Sequence, residues 1–411
     1  MEFFDLKPVE EARSIFLTAA GKRRMPVEHV PLTAAVGRVT AAPVQAKSDL
    51  PGFARSTVDG FAVRAADTFG ASEGLPAYLR LQGEILMGHA PMVPLRPGEA
   101  WKISTGGALP EGADAVVMVE HTEFLAEDEV GIRRPVSPGD NVVQRGEDCP
   151  AGGELLPAGQ LIRAQEAAFL QSAGVLTVPV FRRPRVAIIS TGDELVEPEV
   201  EPAPGQIRES NAAALAALVR RDGGEPRYLG LARDQEEDIR QRLQQGMQDD
   251  VVLISGGSSV GARDLTARLI SELGAPGILV HGVKLRPGKP TILAVAGDVP
   301  VVGLPGHPVS AQVTYGLFVT PLLRQLQGLP PEPPFRPTVR ARMTKNVASA
   351  PGRTDCVRVR LIRDGAEVLA EPVHGRSGLI STLVKADGLL IIPSAKEGVL
   401  AGEMVEVELL V

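Results

Sequence analysis

The stretch Val251–Leu326 constrains this chain more than any other, because apolar runs there end repeatedly in short loops rich in Gly, Pro and cations. Val251–Ile254 is an apolar run stopped by Ser255-Gly256-Gly257, the pattern of a buried parallel strand ending in a loop. Glycine at such a point lets the backbone approach a ligand that a Cβ would hold off. A helix is expected next, with Asp264 at its N-terminal end and Leu265, Leu269 and Leu273 along one stripe. Strand, Gly-rich loop and helix start together form a cradle for an anion or phosphate, although a plain strand-to-helix connection has the same pattern.

The next segment is Lys284-Leu285-Arg286-Pro287-Gly288-Lys289-Pro290. Arg286 and Lys289 each precede a proline, which biases them toward extended backbone and holds two cations on a stiffened loop. A solvated charge run has no need of two prolines, so an anion site is the favoured reading. The strand expected at Val299–Leu304 ends in Pro305-Gly306-His307-Pro308, where Pro308 suits the first turn of a helix and Ser310 lies near its start. Three loops from one sheet describe a pocket for a ligand with several negative charges.

SGGSSVG followed by Asp264, then RPGKP, then LPGHPVS, in this order, resembles the molybdopterin molybdenumtransferase family. These enzymes act last in bacterial molybdenum-cofactor synthesis and are similar to the E domain of gephyrin and its plant counterpart. The similarity runs through nearly all 411 residues. It implies a multidomain α/β plus β fold: a three-layer α/β molybdopterin-binding domain, an inserted β-rich domain, a mixed linker domain and a small C-terminal β domain resembling a barrel.

Composition limits the alternatives. Lys plus Arg total 43 against 50 Asp plus Glu, and aromatic residues make up 4% of the chain. That acidic balance and the few stacking platforms disfavour nucleic-acid binding, so the cations above are a local feature. The two cysteines, Cys149 and Cys356, form no metal-ligand spacing and suit a reducing compartment. Any metal is therefore expected on carboxylates, as magnesium is. The segment MEFFDLKPVEEAR is acidic where a signal peptide is basic and then apolar, and no apolar run reaches membrane-spanning length. A cytoplasmic protein without membrane partners is expected.

In chain order, residues 1–24 are expected to supply a helix packed on the α/β domain. Residues 25–50 and 146–179 form a discontinuous mixed domain, and 51–145 an inserted β-rich domain. Residues 180–327 form the α/β domain, read as a parallel sheet, and 328–411 a C-terminal β domain after the stiff linker GLPPEPPFRP. Asp59-Gly60 and Ser104-Thr105-Gly106-Gly107 both read as turns. Glu194, Asp234 and Asp264 sit at or just beyond strand ends. A lone acid there is usually a helix cap, but three on one edge point to magnesium and phosphate chemistry. Asp193 and Ser210-Asn211 read as caps.

The resemblance assigns further roles. Asp59 and Thr105 reach the active site, joining Glu194, Asp234 and Asp264 as catalytic residues, the last three binding magnesium. Gly256, Gly257, Ser258, Ser259, Gly261, Pro305 and Gly306 bind the adenylylated molybdopterin substrate. Lys284, Arg286, Lys289, Pro290, Ser310, Arg353 and Ser377 place molybdate, with Ser381 an alternative to Ser377. The chain departs from the family at Thr57-Val58 and Phe61, where Ala-Met and Tyr are commoner, and at Arg286, where Lys is usual. A homodimer with sites shared between subunits is implied. Two rival functions remain, a molybdopterin adenylyltransferase-like enzyme and a non-catalytic molybdopterin-binding scaffold.

Overall fold

Apolar runs broken by Gly and Asp from Arg185 onward give six strands that the computed structural model joins in one sheet. The structure describes residues 6–21, 23–256 and 260–410, with side chains in residues 260–264 excepted. The strands are β1 (Arg185–Thr191), β2 (Glu225–Ala232), β3 (Val251–Gly256), β4 (Pro276–His281), β5 (Ile292–Ala296) and β6 (Val299–Pro305). Their order is β2-β1-β3-β6-β5-β4. β2, β1, β3 and β6 pair in parallel, whereas β5 runs antiparallel to both of its neighbours. The sheet is therefore mixed, not wholly parallel as expected. The cause is a two-residue turn: Ala296 pairs with Val299 across Gly297-Asp298, and Gly297 takes φ 59°.

Alternation along β1 sends successive side chains to opposite faces. Six helices cover those faces: α1 (Val9–Ala20), α2 (Asn211–Arg221), α3 (Glu236–Gly246), α4 (Val260–Glu272), α5 (Pro308–Thr314) and α6 (Thr320–Leu326). Val186 and Ile188 pack with Phe16 of α1 and Leu215 of α2. Ala187 and Ile189 pack with Ile239 and Leu243 of α3 and Leu269 of α4. Each buried large side chain contributes about 1.5–3 kcal/mol. α4 begins at Val260, so Asp264 lies within the helix and not at its first position. α5 and α6 are joined through a π-helical turn, Tyr315–Val319, into one helical run.

The C-terminal strands are β7 (Thr338–Met343), β8 (Thr354–Asp364), β9 (Glu367–Pro372), β10 (Gly388–Ile392) and β11 (Met404–Leu409). They run in the order β8-β9-β7-β11-β10, and β10 returns to β8 to close a five-stranded barrel. Met343, Val359, Leu390, Ile392 and Val407 fill it. β8 pairs with β9 only from Val359 onward, which leaves one edge of its first residues open. Leu285–Arg286 takes that edge in parallel, setting Leu285 opposite Thr354 and Arg286 opposite Asp355.

Two compact units divide the chain: Met1–Glu28, Gly37–Val39 and Val180–Val411 in one, His29–Val36 and Thr40–Pro179 in the other. The second holds a six-stranded sheet in the order Ala115–Met118, Gly60–Val63, Glu99–Ile103, Ala77–Ile85, Glu129–Ile132, Thr122–Ala126. Val44–Gln45 pairs there with Glu154–Leu156. Gly60 is not the turn residue expected. It opens a buried strand, and a Cβ there would stand 1.9 Å from the Val117 carbonyl oxygen. No helix among the described residues is long and apolar enough to cross a membrane.

Asp250, at the entry to β3, fastens three segments of the first unit. Its carboxylate accepts from Arg23, Arg182 and the Arg185 backbone N–H, each at 2.8 Å, with the acid side chain 5% exposed. Asp250→Ala leaves two guanidinium groups without their anion. The expected loss is about 2–3 kcal/mol, less than for a fully buried pair because both arginines remain partly solvated. Thermal unfolding checks this, and an unchanged midpoint would contradict it.

Candidate functional site

The site begins with the short strand added to the barrel. The Thr354 N–H donates to the Lys284 carbonyl at 2.9 Å, and the Val283 N–H donates to the Lys289 carbonyl at 2.9 Å, closing the loop. Gly288 takes φ 128°, and a Cβ on it would lie 2.7 Å from Leu285 Cδ2 and 2.8 Å from Thr314 Oγ1. Any other residue would be strained at that bend. Thr291 Oγ1 fixes it further by donating to the Gly288 carbonyl at 2.6 Å.

Lys284, Arg286, Lys289 and Pro290 of this loop line a cavity of about 850 Å³. β6 and the start of α5 add Pro305, His307 and Ser310; β8 and the turn before it add Arg353, Asp355 and Arg358; the loop after β9 adds Arg376 and Ser377. Every residue that the resemblance assigned to molybdate thus lines one cavity. Of the two candidate serines, Ser377 lines it and meets His307 Nδ1 at 2.9 Å, whereas Ser381 opens a short helix, Ser381–Val384. Sequence reasoning missed His307, Asp355, Arg358 and Arg376. Asp355 was within reach of it, since it is an acid two residues beyond Arg353 at the start of an expected strand.

The described walls carry six Lys or Arg side chains and one carboxylate, Asp355. Asp355 is buried, 3.5 Å from Arg286 and 3.3 Å from Arg353, and accepts a hydrogen bond from Ser349 at 2.9 Å. Arg358 is nearly buried, and burial together with the charge of Arg286 holds its guanidinium below its ordinary pKa. So many like charges facing one space favour an anionic ligand strongly. Burial pushes the Cys356 thiol up to about 12, which leaves it protonated and unreactive near neutral pH. Cys356 also borders a second, largely apolar cavity of about 530 Å³ that is lined by none of the candidate catalytic, substrate or molybdate residues.

The remaining candidates lie elsewhere. Thr191, Gly256 and Pro305 are neighbours at the carboxyl ends of β1, β3 and β6. A Cβ on Gly256 would come within 2.0 Å of the Thr191 carbonyl oxygen, and one on Gly306 within 3.4 Å of Gly256 Cα. Glycine at 256 is therefore required by the adjacent strand end. Gly257, Ser258 and Ser259 lie outside the described residues, as do the surroundings of Gly261 and the Asp264 side chain. Asp234 accepts from Thr191 Oγ1 at 2.7 Å, and its N–H donates to Asp193 at 3.1 Å. The Glu194 carboxylate folds back beside Gly192. Among the described residues no three His, Cys, Asp or Glu are grouped as metal ligands.

Asn211 is no cap: its Nδ2 donates to the Gly306 carbonyl at 2.8 Å, tying α2 to the strand-end loop. Buried Glu209 caps instead, accepting from the Ala212 N–H at 2.8 Å and Ser190 Oγ at 3.0 Å. In the second unit, the Thr105 N–H and Oγ1 donate to Asp59 Oδ1 at 2.8 and 3.1 Å. Those two candidates are joined directly, and Ser104–Gly107 is also the expected turn.

Comparison with known proteins accounts for this arrangement. Residues 7–174 match the MoeA N-terminal region (domain I and II), 187–325 a probable molybdopterin binding domain, and 340–410 the MoeA C-terminal region (domain IV). Molybdopterin molybdenumtransferase 2 of Mycobacterium tuberculosis is 36% identical, over 92% of this chain and 94% of its own. Molybdopterin molybdenumtransferase of Bacillus subtilis is 34% identical, over 98% and 94%. The chain belongs to the molybdopterin molybdenumtransferase family. A crystal structure of the molybdopterin biosynthesis MoeA protein of Pyrococcus horikoshii superposes with a TM-score of 0.84 at 33% identity, covering 98% of this chain and 100% of that one.

In this family member the bend at Gly288 sets where Lys289 points. Gly288→Ala is expected to strain the loop by about 1–3 kcal/mol and to weaken molybdate binding at least fivefold, by about 1 kcal/mol. Far-ultraviolet circular dichroism should stay unchanged. Calorimetric titration with molybdate alone reads the effect; wild-type affinity would show that the loop tolerates the methyl.

Proposed function

We propose that this protein is a molybdopterin molybdenumtransferase, inserting molybdenum from molybdate into adenylylated molybdopterin with release of AMP. The observation that carries the reading is the set Lys284, Arg286, Lys289, Ser310, Arg353 and Ser377 around one cavity. A tetrahedral dianion suits such a wall: guanidinium forks meet pairs of oxygens, ammonium groups neutralise charge, and hydroxyls complete the donors. The strand-end loops at Gly256, Pro305 and Gly306 would border a pterin phosphate, with Gly257, Ser258, Ser259 and Gly261 as donors.

Glu194, Asp234 and Asp264 are the carboxylates that would hold magnesium, and their hard oxygen donors suit that ion. When bound, magnesium would neutralise charge on the pyrophosphate. The chain's own contribution is to position substrate and to keep charge balanced, which suffices for an already activated anhydride. We place the protein in the cytoplasm and divide it at 25–50 with 146–179, 51–145, 180–327 and 328–411, following the helix of residues 1–24.

The purified protein, given adenylylated molybdopterin, magnesium and molybdate, is expected to release AMP only when molybdate is present. Binding without AMP release would favour the scaffold. Adenylylation of molybdopterin from ATP would favour the adenylyltransferase-like reading.

We further propose a homodimer in which Asp59 and Thr105 of one subunit serve the α/β site of the other. Asp59→Asn and Asp264→Asn proteins, each inactive alone, would then complement when unfolded and reassembled together. Random pairing makes roughly half the dimers mixed, each with one intact site, so activity should return to about a quarter of wild type. No recovery, with mixed dimers present, would contradict sharing.

A further inference from the structure

Ser377 and His307 come from different parts of the chain, the loop after β9 and the residue ahead of α5, yet they meet at 2.9 Å on the cavity wall. A second bond fixes the pair, since the Val309 N–H donates to the Ser377 carbonyl at 3.2 Å. The His307 backbone is held as well, its carbonyl accepting from the Ala311 N–H at 2.9 Å. The two backbones are thus held on both sides, which keeps the solvent-exposed ring and hydroxyl within reach of each other.

A serine hydroxyl has one hydrogen, and its neighbour decides where that hydrogen goes. With Nδ1 bare, the hydrogen turns to the imidazole, and Oγ offers the cavity only lone pairs, which repel an oxyanion. With Nδ1 carrying the proton, the imidazole donates to Oγ, and the hydroxyl hydrogen is released toward the cavity. A bound dianion is therefore served when the hydrogen of the imidazole lies on Nδ1, where it points at Ser377 Oγ.

We propose that His307 is a positioning residue that makes Ser377 a donor, so that the cavity accepts fully deprotonated tetrahedral oxyanions and rejects protonated ones. The inference rests on the oxyanion site of the proposed function and adds its selectivity. Molybdate presents acceptors at every oxygen. Hydrogen phosphate and dihydrogen phosphate, similar in shape, each bring at least one O–H, which would face a wall of donors. A misplaced donor of this kind leaves a polar pair unmade and is disfavoured against a ligand whose oxygens all accept.

The test uses the full chain with molybdate alone and inorganic phosphate alone, titrated calorimetrically at neutral pH. Wild type is expected to prefer molybdate over phosphate at least tenfold. His307→Ala should weaken molybdate about tenfold and phosphate much less, shrinking the preference. His307→Asn, whose amide can donate from nearly the position of Nδ1, should restore most of it. In a Ser377→Ala background, His307→Ala should have no further effect, which a merely structural histidine would not reproduce. Thermal midpoints identify any variant whose loss comes from unfolding, and for that case His307→Asn remains the deciding protein. Wild-type selectivity in His307→Ala, or an equal loss with and without Ser377, would overturn the inference while leaving the molybdate site standing. Failure of wild type to bind molybdate would overturn the proposed function itself, and this inference with it.

Discussion

Two residues of main-chain pairing, Leu285–Arg286 on β8, join the two chemistries of this molecule. Without that pairing the α/β sheet would carry a cationic loop with no floor, and the barrel would carry an arginine turn facing nothing. Register matters because a slip of one residue reverses which side of the sheet each side chain meets. The observed register sets Arg286 opposite Asp355, so that one buried acid lies under both Arg286 and Arg353. The acid cannot satisfy either guanidinium fully, and their remaining N–H groups stay available to a ligand.

The same arrangement gives the cavity the character of the anion site proposed for it. Like charges crowded at a wall are costly to the folded chain, and an anion relieves that cost when it enters. The rigid parts are those that keep the charges from escaping: the bend at Gly288, its flanking prolines, and main-chain bonds at Lys284 and Lys289. Arg358 sits deeper, where burial already acts against its charge. Stability is supplied elsewhere, by the two apolar faces of the α/β sheet and by the closed barrel.

Much of this was legible in the sequence, for identifiable reasons. Helices α1, α2 and α3 and the barrel strands show in apolar periodicity, which reports which face is buried. The cations of the RPGKP loop show because proline and glycine punctuate them. Legibility ends where a residue's role depends on a partner far along the chain. Asp59-Gly60 carries the local mark of a turn, yet Gly60 is needed for its close approach to Val117. Asn211 carries the mark of a cap, yet it binds the loop at Gly306 and leaves the capping to Glu209. The hairpin at Gly297-Asp298, which makes the sheet mixed, has the signal of a tight turn that a run of parallel units overshadowed. His307 carries no local mark at all; only the approach of Ser377 gives it meaning.

The strand added to the barrel also has a consequence for how the protein is born. Arg286 and Asp355 stand 69 positions apart, so on the ribosome the cationic loop is made well before its floor. During that interval the loop has no partner edge, and the proposed oxyanion site does not exist. Domains fold in order of synthesis, which makes this site one of the last features to form. A chain still attached to the ribosome, or one truncated before the barrel closes, would fold its α/β sheet and yet have no place to hold the anion. The proposed anion site thus forms only after the barrel strands have been made.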